Sequence, residues 1–492
     1  MARFIRNSRN QGLLLCVDLD NQLIQGSLEK TIDYFVEEQL NLNDLLSDFH
    51  NDVAGAPAYH PKDLLKVLFL AFLRGIFSCR KIEQLCNENI VFMALSGDLH
   101  PNHATIAKFI NRLQKHIVSL FQQLLIYCDS LDLISGTHIA IDGCKISSNA
   151  AKESSGTLTE LKQKMNKFKL IAEQIVEEAQ NTDNHEAVQK RIAKYNHKID
   201  RINTFLKNNE ERIGTQKRII KSNITDNESA KLTSGHGVIQ GYYALAAVDE
   251  KHQIITSAKT VSTQNEGKYL KDMIEGSRNI LPKRITTDTT VLADTGYFSE
   301  ANCKYLFESH QNAVVPDNHF RQRDPRFGRD SKIKNINNRR KGRRLFDHSQ
   351  FIYDEEKNWY YCPARKALRP NGKWNLHGHI GRQYIQKDGD CDLCYLCSKC
   401  LQKNSKRRYI FIVDIPKPMT FSQKMKKIID SPEGRNTYSK RMGIVEPVFG
   451  NITRNKVLSR FNYRGSIKVN VVWKLYCMIH NIEKIHNYGT LE

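Results

Sequence analysis

No apolar run in the chain is long enough to cross a membrane. The most hydrophobic stretch, Leu64 to Phe77, is broken by Lys66 and Arg74, whereas a spanning helix needs about 20 largely apolar residues. A secretory leader is not visible either, because the apolar segment Leu13 to Val17 is short and runs directly into Asp18. Acidic residues are scarce beside basic ones: 53 Asp and Glu face 74 Lys and Arg, a formal net charge of +21. That excess favours a polyanionic partner, with nucleic acid ahead of a membrane surface. The plainer alternative is a basic protein kept soluble by its charge. With no export route the protein is expected to work in the cytoplasm, where its twelve cysteines are reduced thiols or metal ligands rather than disulfides.

What is present fits about three domains in 492 residues. A short strand near Leu13 to Val17 and an amphipathic helix around Thr31 to Asp48 come first. Pro61 opens a helix carrying Leu64, Leu65, Val67, Leu68, Leu70 and Phe72, which Gly75 ends or kinks. A second helix follows Ser78 as its N-cap, and a third begins near Pro101 and Asn102 with a stripe of Ile106, Phe109, Leu113, Ile117, Leu120 and Leu124. Short helices with tight turns and a basic face suit a helix-turn-helix unit on duplex DNA and equally a plain bundle. Further on, Leu158, Leu161, Met165, Phe168, Ala172, Ile175 and Ala179, then Val188, Ile192, Tyr195, Ile199, Ile202 and Leu206, follow helical spacing on either side of a polar break at Gln180 to His185. The pattern predicts an antiparallel helical hairpin, set against a partner, DNA or its own domain.

The chemistry centres on Thr137 to Ile146, a β-branched run expected to be a buried strand with a carboxylate, Asp142, in its middle. An ionised Asp there is costly unless a cation or donor meets it; the alternative is that Asp142 ends the strand and turns at Gly143. A second apolar run, Val291 to Phe298, puts Asp294 at a strand end before Gly296, and a third acid, Glu446, sits in the helical-looking run Tyr438 to Asn455. Three carboxylates on separate elements of a basic chain are what a two-metal phosphodiester site needs. Asp249 and Asp288 read as turn residues, and His138 as a satisfied core histidine. Gly241 to Asp249 and Gln253 to Thr263 are expected to pair with the first strand in an antiparallel meander. A helix from Lys268 to Leu281 and a strand from Val291 to Asp294 follow, the order of a ribonuclease H-like sheet.

Residues 318 to 344 form a dense basic segment that includes Arg321, Arg323, Arg326, Arg339, Arg340, Lys341, Arg343 and Arg344, with Phe320 and Phe327 interleaved. It suits contact with a nucleic-acid backbone, or a solvated loop. Cys391, Cys394, Cys397 and Cys400 stand three apart, with Cys362 before Pro363 upstream. Four of the five could supply the tetrahedral thiolates of a structural Zn²⁺ site. An iron–sulfur run and free thiols are the alternatives.

The segment Ser431 to Asn455, with Tyr438, Arg441 and Val445-Glu446-Pro447-Val448-Phe449-Gly450, together with Asp294-Thr295-Gly296-Tyr297 and Asp142 in its strand, resembles the bacterial insertion-sequence DDE transposases. The likeness covers nearly the whole chain and is most specific in the last motif. It implies an α/β, ribonuclease H-like mixed sheet in which Asp142, Asp294 and Glu446 hold two Mg²⁺ or Mn²⁺ ions, with Tyr438 and Arg441 supporting the site or the transferred strand. The implied activity is cleavage of the element's ends on the bacterial chromosome and joining of the 3′-hydroxyl to target double-stranded DNA, by a homodimer or larger synaptic assembly. A catalytically inactive DNA-binding relative and a stand-alone nuclease are the rival readings. Two departures stand out: four residues rather than three separate Arg441 from Glu446, and the seventh position after Glu446 is Thr453 with Arg454 next.

The expected organisation is an N-terminal helical DNA-binding domain (1–130), a catalytic core in three pieces (131–150, 233–317 and 416–492), a helical hairpin insertion (151–232), and a basic, cysteine-rich, zinc-ribbon-like insertion (318–415).

Overall fold

Ten consecutive residues of one strand, Gln240 to Asp249, are all buried, which the small side chains of Ala244, Ala246 and Ala247 allow on a strand covered on both faces. Around it the computed structural model describes residues 17–50, 57–179, 185–214, 219–235, 237–263, 265–324, 326, 345–376, 378–401, 405–415 and 419–490. These fall into two compact units, Met1–Pro316 with Pro432–Glu492, and Asp317–Ser431.

The first unit contains a six-stranded sheet made of β1 (His138–Ser147), β2 (Ala230–Ser234), β3 (Gly237–Asp249), β4 (Ile255–Val261), β5 (Thr290–Ala293) and β6 (Ala313–Val314). Its order is β6-β5-β1-β3-β2, with β4 also paired to β3. Strands β1, β3 and β4 form the antiparallel meander expected from the sequence. On the other side of β1, strands β5 and β6 run parallel to it. Strand β1 does not end at Asp142: pairing continues through Gly143 to Ser147. The two rival acids are turn residues. Buried Asp249 accepts the backbone N–H groups of Gly136 (2.8 Å) and Lys251 (2.9 Å), and Asp288 is exposed in a turn. His138 is partly buried and bonded to Glu250 at 2.7 Å.

The N-terminal helices are α1 (Leu28–Tyr34), α2 (Pro61–Leu73), α3 (Cys79–Glu88), α4 (Ile90–Ser96), α5 (His103–Arg112) and α6 (Ile117–Ser130). Pro61 sits in the first turn of α2 and ten of that helix's thirteen residues are buried, so α2 is a core helix. Its one buried charge, Lys66, is satisfied by Glu37 at 2.9 Å and Asp33 at 3.2 Å. The single long stripe from Ile106 to Leu124 is divided between α5 and α6; the chain breaks between Arg112 and Ile117 while all six apolar residues stay buried. The strand expected at Leu13 to Val17 lies almost wholly outside the described residues.

Helices α7 (Leu158–Ala179) and α8 (His185–Asn208) form the hairpin. It packs on itself through Leu161, Ile202 and Phe205, flanked by Leu158, Met165, Phe168 and Leu206. Helix α9 (Leu270–Ile280) covers β4 and β3, and α10 (Glu300–Glu308) follows β5. Two C-terminal helices, α11 (Pro432–Gly450) and α12 (Ser466–Tyr488), complete the unit. Helix α12 is buried at Trp473 and Tyr476 and satisfies backbone groups along β4: the Asn481 amide pairs with both N–H and C=O of Ile255, and Asn470 accepts from Thr260 N–H. An edge strand is thereby covered rather than left to pair with another chain.

The second unit is built on a five-stranded antiparallel sheet, β7 (Ile352–Asp354), β8 (Trp359–Tyr361), β9 (Ala367–Leu376), β10 (His379–Gln386) and β11 (Tyr409–Ile415), in that order. Its core is small: Phe351, Cys362, Leu368, Tyr384, Cys400 and Ile410.

Candidate active site and cysteine cluster

Strand register brings the first two acids together. Ile141 of β1 lies opposite Ala293 of parallel β5, so Asp142 and Asp294 follow on neighbouring strands, whose backbones run about 4.8 Å apart. Asp294 caps the turn Thr295–Tyr297, accepting Thr295 N–H at 2.6 Å. Asp142 accepts Gly143 N–H at 2.8 Å through Oδ1, and through Oδ2 it accepts Arg441 Nη2 at 2.5 Å. Arg441 arrives on α11, which packs over β1, β3 and β5.

This ion pair is well shielded, with 7% of the Arg441 side chain and 18% of the Asp142 side chain exposed. Burial pushes the Asp142 carboxyl up to about 6; Arg441 and the Gly143 N–H oppose the rise, and the charges of Asp294 and Glu266 add to it. The Arg441 guanidinium is held above its ordinary value, because Asp142, Tyr438, Asp294 and Glu446 together outweigh its burial. Its Nε is buried with no hydrogen-bond partner among the described residues.

Helix α11 carries the other two candidates. Tyr438 lies three residues before Arg441, on the same face, and is half-buried. Glu446 comes five residues after Arg441, roughly 140° further round an ideal helix, and its side chain is exposed. The apolar neighbours Val445 and Val448 are buried, but they do not bury the acid with them. Pro447 follows within the helix and leaves the Gly443 carbonyl without its usual N–H donor. Gln253 Nε2 supplies one at 3.0 Å, which ties α11 to the turn between β3 and β4. The structure thus gathers Asp142, Asp294 and Arg441 closely, with Tyr438 beside them and Glu446 at the rim of their field.

Sequence reasoning missed a fourth acid. Glu266 lies in the electrostatic reach of both Asp142 and Asp294, just after β4. Its segment, Asn265-Glu266-Gly267, carries no motif beyond an acid next to a glycine.

In the second unit the five cysteines converge. Cys362, Cys391, Cys394, Cys397 and Cys400 all line one cavity of about 10 Å³, the scale that admits a single water-sized body. Cys362 Sγ accepts Lys366 N–H and Gln386 Nε2, each at 3.3 Å, and Cys391 Sγ donates to Gln386 Oε1 at 2.6 Å. Burial, with the neighbouring thiols adding to it, raises the Cys391 thiol above its ordinary value, and burial drives Cys400 to about 11. Among the described residues no group of three or more His, Cys, Asp or Glu side chains is already spaced around a metal ion, at the acids or at the cysteines.

Of the eight basic residues singled out for DNA, three are described. Arg321 is exposed and lies over the Phe320 ring. Arg323 is bound to Asp317 at 2.5 Å and Asp430 at 2.7 Å, and Arg326 to Asp324 at 2.8 Å. Arg339, Arg340, Lys341, Arg343 and Arg344 lie outside the described residues. No helix among the described residues is long and apolar enough to cross a membrane.

Comparison with known proteins gives two family matches. The family described as Transposase DDE domain matches residues 361–486, and the family described as Transposase domain (DUF772) matches residues 17–112. No curated protein matches the chain. Among solved structures, a chain of the piggyBac transposase synaptic complex with hairpin DNA matches at 9% identity and a TM-score of 0.31, over 95% of this chain and 74% of that one. The first match takes in all five clustered cysteines as well as Tyr438, Arg441 and Glu446; both family matches are to transposase domains, and they support the resemblance to the insertion-sequence DDE transposases.

Proposed function

We propose that this chain is a DNA transposase that binds the terminal repeats of its own element, cleaves the element's ends and joins the new 3′-hydroxyl to target DNA, with Asp142, Asp294 and Glu446 holding two divalent ions. The observation that carries the reading is the β1–β5 register, which sets Asp142 beside Asp294 under Arg441 of α11. Strand order and direction, with the meander followed by two parallel strands, agree with a ribonuclease H-like core. Helices α1 to α6, the hairpin α7–α8 and the basic segment with Arg321 are the proposed DNA-contacting parts. A homodimer or larger assembly would hold two ends at once.

Hard carboxylate oxygens fit Mg²⁺ or Mn²⁺. When bound, such a pair supplies Lewis acidity to the attacking hydroxyl and to the leaving 3′-oxygen. The protein groups do the rest. Asp142 and Asp294 present their carboxylates from rigid strands, and Arg441 orients Asp142 while its unpartnered Nε offers a donor to a phosphate oxygen. Tyr438, one turn earlier on the same face of α11, acts electrostatically on that guanidinium. In the cysteine unit the soft thiols fit Zn²⁺, with four of Cys362, Cys391, Cys394, Cys397 and Cys400 as ligands and a structural rather than catalytic role.

A second reading, a DNA-binding relative without strand cleavage, draws on the exposed Glu446 and its extra residue of spacing from Arg441. The deciding experiment is incubation of the full chain with DNA carrying candidate element ends and Mg²⁺, scoring binding, nicking and joining separately. Nicking and joining that vanish in Asp142→Asn, with binding retained, support the transposase reading. Binding without nicking in the natural chain supports the second, and unchanged nicking in Asp142→Asn removes Asp142 from the mechanism.

A further inference from the structure

Glu266 is held where a free carboxylate has no reason to be. It lies between β4 and α9, and its Oε2 is enclosed with no hydrogen-bond partner among the described residues. An unpaired buried carboxylate oxygen costs free energy that a folded chain rarely leaves uncompensated. The surroundings place it against the Asp294 segment. A Cβ added at Gly296 would stand 2.3 Å from Glu266 Oε1, so the carboxylate packs directly on the backbone two residues beyond Asp294 and would have to move to admit a larger residue there. Asn302 Nδ2 ties the two segments by donating to Gly267 O at 2.7 Å and Tyr297 O at 2.8 Å. Tyr243 of β3 acts on the same carboxylate, opposing the rise that burial causes in it.

The neighbourhood is acidic and partly unsatisfied. Asp142 and Asp294 both lie within electrostatic reach of Glu266, with Lys145 and Arg441 as the opposing charges. Tyr297, fully buried, stands in the field of Glu266, Asp142 and Asp294, and its hydroxyl also lacks a partner among the described residues. Two separate orphaned polar atoms therefore sit against one group of acids. An arrangement that is repulsive when empty is explained if a cation fills it.

We propose that Glu266 is a fourth carboxylate of the ion site, supplying a hard oxygen ligand to a divalent cation shared with Asp142 and Asp294. The inference rests on the proposed acid site and adds to it a ligand from outside the three expected acids. It also accounts for how a site whose Glu446 is exposed can still surround an ion with protein oxygens.

The test is titration of the full-length, metal-free protein with Mn²⁺ alone, read by the free-ion electron paramagnetic resonance signal, alongside thermal melting. In Glu266→Gln the affinity for Mn²⁺ should fall about tenfold or more, the scale at which loss of a site-supporting group is felt. Because a repulsive charge has been neutralised without loss of shape, the melting temperature of the metal-free protein should rise. Gly296→Ala, which crowds the carboxylate while leaving its charge, should also weaken Mn²⁺ binding. Unchanged Mn²⁺ affinity in Glu266→Gln overturns the proposal. So does a Glu266→Gln protein that melts below the natural one or fails to fold, since that outcome gives Glu266 a structural role. Asp142→Asn separates the two levels of the argument: if it loses Mn²⁺ binding while Glu266→Gln does not, Glu266 alone is wrong, and if neither variant changes binding, the acid site itself is not an ion site.

Discussion

The acid site and the cysteine cluster both crowd anionic or potentially anionic groups into a small space, yet they are built in opposite ways. The acid site carries its own counter-charge: Arg441 grips Asp142, and Lys145 acts on Glu266. It also rests on a six-stranded sheet with buried helices around it. At the cysteine cluster, among the described residues, no cation grips a thiol in the way Arg441 grips Asp142, although the charge of Arg408 acts on Cys400. The Arg408 guanidinium donates to the carbonyl oxygens of Cys400 and Phe346. Two of the six residues of that unit's core are themselves cysteines of the cluster. A pocket that carries its own counter-charge suits exchangeable, catalytic metal, whereas one whose core is partly made of ligands suits metal that belongs to the fold.

The largest expected effect follows from the second half of that contrast. If the proposed Zn²⁺ site is structural, a strong chelator, or Cys391→Ser with Cys400→Ser, should unfold residues 317–431, because structural Zn²⁺ contributes about 10 kcal/mol or more to such small units. Limited proteolysis should then cut within 317–431 and spare the helices of the other unit. Equal resistance before and after chelation would erase the distinction.

A smaller effect is expected at the built-in counter-charge. Arg441→Gln leaves Asp142 without its ion pair, and breaking a shielded pair costs about 3 kcal/mol. Denaturant melts should show that loss in metal-free protein, and added Mg²⁺ should recover part of it. An Arg441→Gln protein as stable as the natural one would mean that the acid site does not depend on its internal cation.

The smallest effect is graded with pH and belongs to the scaffold of the acid site. His480 of α12 is fully enclosed; its Nε2–H donates to Gln253 O at 2.9 Å and its Nδ1 accepts from Asn451 at 3.0 Å, so the ring is neutral. Burial pushes its pKa down to about 3, whereas the unfolded chain takes up that proton near the ordinary value of about 6.5. The stabilisation is therefore complete above pH 6.5 and is lost as the pH falls towards 3, at about 1.4 kcal/mol per unit. His480→Gln should flatten this slope in melts between pH 6.5 and 4.5, and an unchanged slope would assign acid unfolding to other groups.

How much of this was legible in the sequence differs from residue to residue. Asp142 and Asp294 stood out because each interrupts or ends an apolar run; the strand of Asp142 formed the expected meander, and the strand before Asp294 joined it in parallel. Their proximity, though, depends on the register of Ile141 against Ala293, which no local pattern states. Glu446 was visible only through its motif, and it is exposed although Val445 and Val448 beside it are buried: on a helix, flanking residues in sequence point elsewhere in space. The stripe from Ile106 to Leu124 concealed a break, since α5 and α6 keep the same face towards one core and the periodicity runs on. Glu266 was hidden for another reason. Its burial comes from the close packing of its segment on Gly296, a contact between residues 30 positions apart.

The central claim, that these carboxylates hold the ions that cut DNA, is tested most directly by changing ligand softness. Asp294→Cys exchanges a hard oxygen for a thiolate, which binds Mg²⁺ poorly and Mn²⁺ better. End cleavage should be lost in Mg²⁺ and partly restored in Mn²⁺; cleavage by Asp294→Cys at the natural rate in Mg²⁺ would contradict the account.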